Sequence, residues 1–140
     1  MSRYQQFHDF RSRLNCRILG SDEARGRAPE GTPNVGATLV TKRFFTLDGQ
    51  AYADGALPAK TKELMGLVAS MVLRCDDCVA YHIDQCITLG TTDQELFESF
   101  DVALIVGGSI VIPHLRRAVD FLDSARSAKA SGQAPACPTH

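Results

Sequence analysis

Apolar residues recur along this chain at steps of three and four, the spacing of helices with one buried stripe. Phe7, Phe10, Leu14 and Ile18 set that rhythm over 3–19, and Gly20 stops it. Residues 21–33 are polar, with glycine and proline, and read as a loop. Asn34 is placed to cap a second helix carrying Val35, Leu39, Val40, Phe44 and Phe45. Asp48-Gly49 and Asp54-Gly55 punctuate the next stretch, with room for a short helical turn between them.

Pro58 suits a first helical turn. Behind it, Leu64, Leu67, Val68, Met71 and Val72 predict a helix over 60–74. A further helix is expected over 76–89, closed by Gly90. Thr92-Asp93-Gln94-Glu95 has the form of a capping box, opening a helix through Leu96, Phe97, Phe100, Leu104 and Ile105. Gly107-Gly108 should break or bend it. The pattern resumes over 110–125, with Pro113 near its start, and from Ser127 the chain reads as a frayed tail. No alternating strand pattern emerges. The expectation is an all-α fold of about six helices in a single domain over 1–126, with a flexible tail over 127–140. Several strongly apolar faces with small residues, Ala69, Ser70, Ala103, Gly107 and Gly108, call for a partner, so a homo-oligomer is expected.

Composition narrows the function classes. The 140 residues carry a net charge of −1, with no basic cluster to suit a nucleic acid. The longest apolar runs, 102–106 and 109–112, are too short to span a bilayer. The first residues lack the apolar core of a secretory signal, so a cytoplasmic location is expected. Nor is there a glycine-rich phosphate loop to suggest an organic cofactor. In a reducing compartment a C-x-x-C is chemical rather than structural.

That motif is the most informative part of the chain. Cys75-Asp76-Asp77-Cys78-Val79-Ala80-Tyr81-His82 puts two thiols and an imidazole at helical steps of three, four and seven. A helix beginning near Cys75 would favour thiolate there through its unpaired amides and dipole. His82, one turn past Cys78, could take a proton. A histidine in that role needs a carboxylate to hold it. Asp76, Asp77 and Asp84 are close in sequence, but Asp76 and Asp77 would oppose a thiolate. Glu63 is the alternative. On one unbroken helix it would stand about 28 Å from His82, so the chain must turn near Arg74 and Cys75 for the two to meet. Asp and Cys are weak helix formers, which makes 73–77 a plausible corner. Zinc is a rival use of Cys75, Cys78 and His82, with Cys86 as a fourth ligand, but side chains along one rigid helix wrap a tetrahedral ion badly. A scaffold with incidental core cysteines is another. Cys16, Cys86 and Cys137 read as unpaired thiols. His114 reads as a packed or capping residue, His8 as solvated, Tyr81 as lining either pocket or core. Arg74 could steady a thiolate or pair with Asp76 or Asp77.

Glu63, eleven intervening residues, then Cys75-x-x-Cys78-x-x-x-His82 resembles the signature of the alkylhydroperoxidase D-like branch of the carboxymuconolactone decarboxylase superfamily. The flanking words also match: Leu57-Pro58-Ala59-Lys60-Thr61-Lys62-Glu63-Leu64 before it, Leu89-Gly90-Thr91-Thr92-Asp93-Gln94-Glu95 after it. The resemblance covers roughly 44–125, with 1–43 an N-terminal helical extension. It implies a helical fold assembling into trimers or hexamers. It also implies a Cys75–Cys78 disulfide that cycles as hydroperoxides are reduced. Cys78 would be the peroxide-attacking thiol, Cys75 the resolving one, and Glu63 and His82 a proton relay acting through a water. No bound cofactor is implied, and an external dithiol would supply electrons. The helix-start argument differs, making Cys75 the more acidic thiol. The chain also departs from some relatives in having Asp77 where the peroxidase can carry histidine. General disulfide oxidoreduction is the next activity of this chemistry. Lactone decarboxylation is a weaker alternative, since those members generally lack the cysteine pair.

Overall fold

The computed structural model describes residues 1–20 and 38–133. Six α-helices account for most of them: α1 (Arg3–Leu19), α2 (Leu39–Tyr52), α3 (Ala59–Val72), α4 (Asp76–Thr88), α5 (Asp93–Gly107) and α6 (Ile112–Ala130). Among the described residues there is no strand, and the all-α expectation holds. Among the described residues no helix is long and apolar enough to cross a membrane. The helices fall into two compact units, α1 and α2 in one and Asp54–Gly132 in the other.

In the first unit Ser2 and Gln5 close a capping box around the start of α1. The buried residues of α1 are Tyr4 and His8, while Phe10 and Ile18 are exposed. This corrects the expectation that His8 is solvated. Its ring lies 4.4 Å from Tyr4 and 5.2 Å from Phe7, aromatic contacts that an imidazole makes as readily as a phenyl ring. The predicted Asn34 cap and Val35 lie outside the described residues. Within them, α2 is capped by Thr38, whose hydroxyl accepts from the Thr41 amide. The helix runs on through Gly49 to Tyr52, past the expected Asp48-Gly49 break. One glycine costs a helix only about 1 kcal/mol, so it does not terminate one by itself.

In the second unit α3 packs on α4 and α5, and α4 packs on α6. The core gathers Leu67 and Met71 of α3, Val79 and Ile83 of α4, Leu96 and Phe100 of α5, and Phe121 and Leu122 of α6. Thr92 and Glu95 form the capping box read from the sequence. Glu95 also receives Lys60 at 2.8 Å, which ties the start of α5 to α3. Gly107 ends α5, and Gly108 (φ 79°) turns the chain into a 3-10 turn at Ser109–Val111 before α6. The helix α6 continues to Ala130, beyond the Ser127 at which composition suggests fraying, because Ala128 is buried and Lys129 bonds Asp84.

Two corners bracket α4 and share one hydrogen-bonding scheme. At the end of α4 the Thr91 amide donates to the Cys86 carbonyl and the Gly90 amide to Ile87, with Gly90 at φ 81°. This is the Schellman arrangement, which needs a left-handed residue at its pivot. At the end of α3 the Cys75 amide donates to the Ser70 carbonyl and the Arg74 amide to Met71. Here the left-handed pivot is Arg74, at φ 60°. A side chain in that region costs about 1 kcal/mol or more against glycine. The chain therefore turns where a meeting of Glu63 with His82 requires it to.

Candidate active site

Glu63, Leu67, Ser70 and Met71 occupy one stripe of α3, and all four are buried. The carboxylate thus points to the protein interior rather than to solvent. From α4, Val79, His82, Ile83 and Cys86 form the facing stripe. With the chain folded back at Arg74, His82 Nδ1 and Glu63 Oε2 lie 2.7 Å apart, both side chains less than a tenth exposed. The contact joins residues nineteen positions apart. With Nδ1–H donating to the carboxylate, the ring is held in one orientation, and Nε2 is the nitrogen through which it can exchange a proton. The Tyr81 ring meets that of His82 edge-on at 5.2 Å.

Cys75 stands at the N-cap of α4, and its sulfur accepts from the Cys78 amide at 3.3 Å. Cys75 and Cys78 are joined as a disulfide, with Cα atoms 5.3 Å apart. Cys75 is half-buried and Cys78 exposed. The two sulfurs therefore differ in kind. One lies under a backbone amide that favours negative charge, and the other is open to an incoming molecule. His82 follows Cys78 by one helical turn and Cys86 follows His82 by another, so three ionisable side chains descend one face from surface to core.

Cys86 is fully buried and not disulfide-bonded. Burial, reinforced by the negative charge of Glu63, pushes its thiol from 9.0 up to about 12. It is a protonated core residue beneath the carboxylate. Among the described residues no group of three or more His, Cys, Asp and Glu side chains is arranged to hold a metal ion. Cys16 is half-buried and not disulfide-bonded, and Cys137 lies outside the described residues.

Of the other acidic residues near the motif, Asp84 pairs with Lys129 at 2.8 Å. Asp76 has partners that no local pattern connects to it. His114 Nδ1 lies 2.7 Å from its Oδ1, and Arg117 donates from Nη1 to its Oδ2 at 3.2 Å. Both come from the start of α6. The only signal in the sequence is the position of His114 just behind Pro113 in a first helical turn. Such a residue is free to reach outward, but nothing local names the recipient.

A model of the carboxymuconolactone decarboxylase family matches residues 39–121, more than half of the chain and the whole of the site. The chain belongs to this family. Two crystal structures of a Thermotoga maritima member share 50% identity with it, at TM-scores of 0.75 and 0.77. The alignments cover 94% and 92% of this chain and 98% and 100% of that one. That protein is described as a carboxymuconolactone decarboxylase family protein with a suggested involvement in antioxidative response. A Legionella pneumophila member in its apo form is 31% identical over 63% of this chain and 76% of its own, with a TM-score of 0.53. Among curated proteins, "Uncharacterized protein 4 in cox locus" of Paracoccus denitrificans is 28% identical over 92 residues, spanning 66% of this chain and 82% of its own length. Membership fixes the helical family fold around the C-x-x-C.

Proposed function

We propose that this protein is a thiol-dependent peroxidase that reduces hydroperoxides through the Cys75–Cys78 pair. The observation that carries the reading is the buried Glu63–His82 pair, at 2.7 Å, one helical turn behind an exposed cysteine already bonded to its neighbour. A structural cross-link has no use for a buried imidazole and carboxylate beside it. A cycling one does.

In the reduced protein His82, oriented by Glu63, accepts the Cys78 proton through a water. The Cys78 thiolate attacks the terminal oxygen of a hydroperoxide and the O–O bond breaks. Sulfur gains oxygen as a sulfenic acid, and the departing alkoxide takes the proton from His82 and leaves as an alcohol. The Cys75 thiolate, stabilised at the helix start, then attacks Cys78 sulfur. The S–O bond breaks, the released hydroxide takes up the proton that Cys75 gave up and leaves as water, and the disulfide forms. An external dithiol returns two electrons by thiol–disulfide exchange and restores both thiols. No bound cofactor is needed. The exposure of Cys78 supports its assignment to the attacking role and Cys75 to the resolving one. A cytoplasmic setting suits this cycle because dithiol reductants are held reduced there. The antioxidative role suggested for the Thermotoga maritima relative points the same way.

An open apolar groove between α3 and α5, lined by Met65, Val68, Val72, Val102 and Val106 among others, supports assembly into a homo-oligomer.

The test is peroxide consumption by reduced protein with a panel of dithiols. Turnover that disappears in both Cys75→Ser and Cys78→Ser is expected. Full activity in either variant would refute the two-cysteine cycle. Dithiol–disulfide exchange without peroxide consumption would instead establish a general disulfide oxidoreductase.

A further inference from the structure

The first turn of α4 is acidic in a place where acidity is unwelcome. Asp76 and Asp77 lie between the two sulfurs, and a carboxylate beside a thiol opposes loss of its proton. At the separation of neighbouring residues, in a partly solvated site, one such charge is worth roughly tenfold in thiolate population. Asp77 is exposed to solvent, which screens it. Asp76 is only 37% exposed, and both of its oxygens are engaged by α6, one by His114 and one by Arg117. The His114 side chain is 17% exposed, so on that side the contact is partly shielded from water. His114 and Arg117 are three residues apart, adjacent on one helical face, and they converge on a single carboxylate thirty-eight and forty-one positions away in the chain.

We infer that His114 and Arg117 are positioning residues for the redox pair. Acting through Asp76, they draw its charge away from the sulfurs and pin the start of α4 to α6. The inference rests on the redox reading of Cys75 and Cys78. Neither residue touches a sulfur or a substrate. Their effect is to hold the amides at the helix start in line with Cys75 sulfur and to keep the thiolate form accessible. A more accessible thiolate makes the disulfide easier to reduce.

The test needs no peroxide. The reduced protein is titrated by thiolate absorbance against pH, and the Cys75–Cys78 equilibrium is measured against a dithiothreitol redox buffer. These are done for wild type, His114→Ala, His114→Gln, Asp76→Asn and the Asp76→Asn/His114→Ala double variant, with circular dichroism to confirm folding. In His114→Ala the uncovered Asp76 charge should lower the thiolate population three- to tenfold at a fixed pH near 7. It should also shift the exchange constant toward the disulfide by up to about tenfold, or about 30 mV more reducing. Asp76→Asn should not make this shift, and the double variant should match Asp76→Asn, because there is no charge left to offset. His114→Gln, which keeps a donor, should recover part of the effect. The inference is overturned if His114→Ala titrates and exchanges like wild type, or if the double variant is as impaired as His114→Ala. A wild-type pair that never cycles between dithiol and disulfide would take the proposed function down as well. A cycling pair indifferent to His114 would sink this inference alone.

Discussion

Replacing Glu63 and His82 by leucine, singly and together, separates what the pair does for the fold from what it does for chemistry. Both side chains are buried, at 5% and 8% exposure, and meet at 2.7 Å. In Glu63→Leu the Nδ1–H of His82 loses its acceptor, a loss of about 1–3 kcal/mol for a buried donor. In His82→Leu the Glu63 carboxyl stays in the core without its partner, a change that costs about 3–5 kcal/mol in comparable buried pairs. Independent effects would sum to roughly 4–8 kcal/mol, a large share of the stability of a small domain. In the double variant neither polar group remains to be satisfied. Leucine is close in volume to both residues it replaces, so the double should lie within about 2 kcal/mol of wild type. Urea unfolding of the oxidised protein followed by circular dichroism gives all four corners of the cycle, with the m-value as a check on two-state behaviour. A double variant as unstable as the sum of the singles would mean that the two residues act separately, and the relay would lose its geometric basis. A stable double variant that no longer turns over peroxide would show that the pair persists at the expense of stability, for the sake of proton transfer.

Three single positions yield further expected outcomes. Arg74→Gly should stabilise the protein by about 1 kcal/mol in the same unfolding assay, since glycine adopts the left-handed pivot freely; no gain would mean that the arginine side chain contributes enough to offset its backbone strain. Gly107→Ala should destabilise by about 1–3 kcal/mol, because a Cβ there would overlap the Val111 side chain; a wild-type midpoint would show that the α5–α6 corner relaxes without strain. Cys86, raised to about 12, should resist iodoacetamide in the folded protein at pH 8, and rapid labelling would place it at the surface. Its folded pKa lies above the unfolded value, so its contribution is complete below pH 9 and lost as pH rises toward 12. The stability margin of wild type over Cys86→Ala should thus shrink by about 1.4 kcal/mol per pH unit across that window.

The helical layout was readable because its signals are local and strong: the 3–4 periodicity of 64–72, the Thr92–Glu95 capping box, and the glycines at 90 and 107–108. The meeting of Glu63 with His82 was reachable by one step of geometry, since a carboxylate nineteen residues from its histidine requires a corner, and Arg74-Cys75 was the place for one. What stayed hidden depends on packing between distant segments. The periodic face of α1 through Phe10 and Ile18 lies partly in solvent, while the less apolar Tyr4 and His8 are buried. Gly49 has the look of a stop and is only a weak link in a helix held by its other residues. The Asp76 carboxylate, a simple hindrance to thiolates when read alone, is held by His114 and Arg117. Hydrogen bonds across thirty-eight residues leave no trace in periodicity or composition.

The Cys75–Cys78 bridge spans a sequence separation of three. So small a ring removes little freedom from the unfolded chain, worth about 2 kcal/mol against nearly 5 for a bridge closing a hundred residues. Opening it therefore leaves most of the folding free energy in place, carried by the interleaved helices behind it. In the proposed cycle this bond would form and break as a local event at one helix tip, with the helices behind it carrying the fold in both oxidation states.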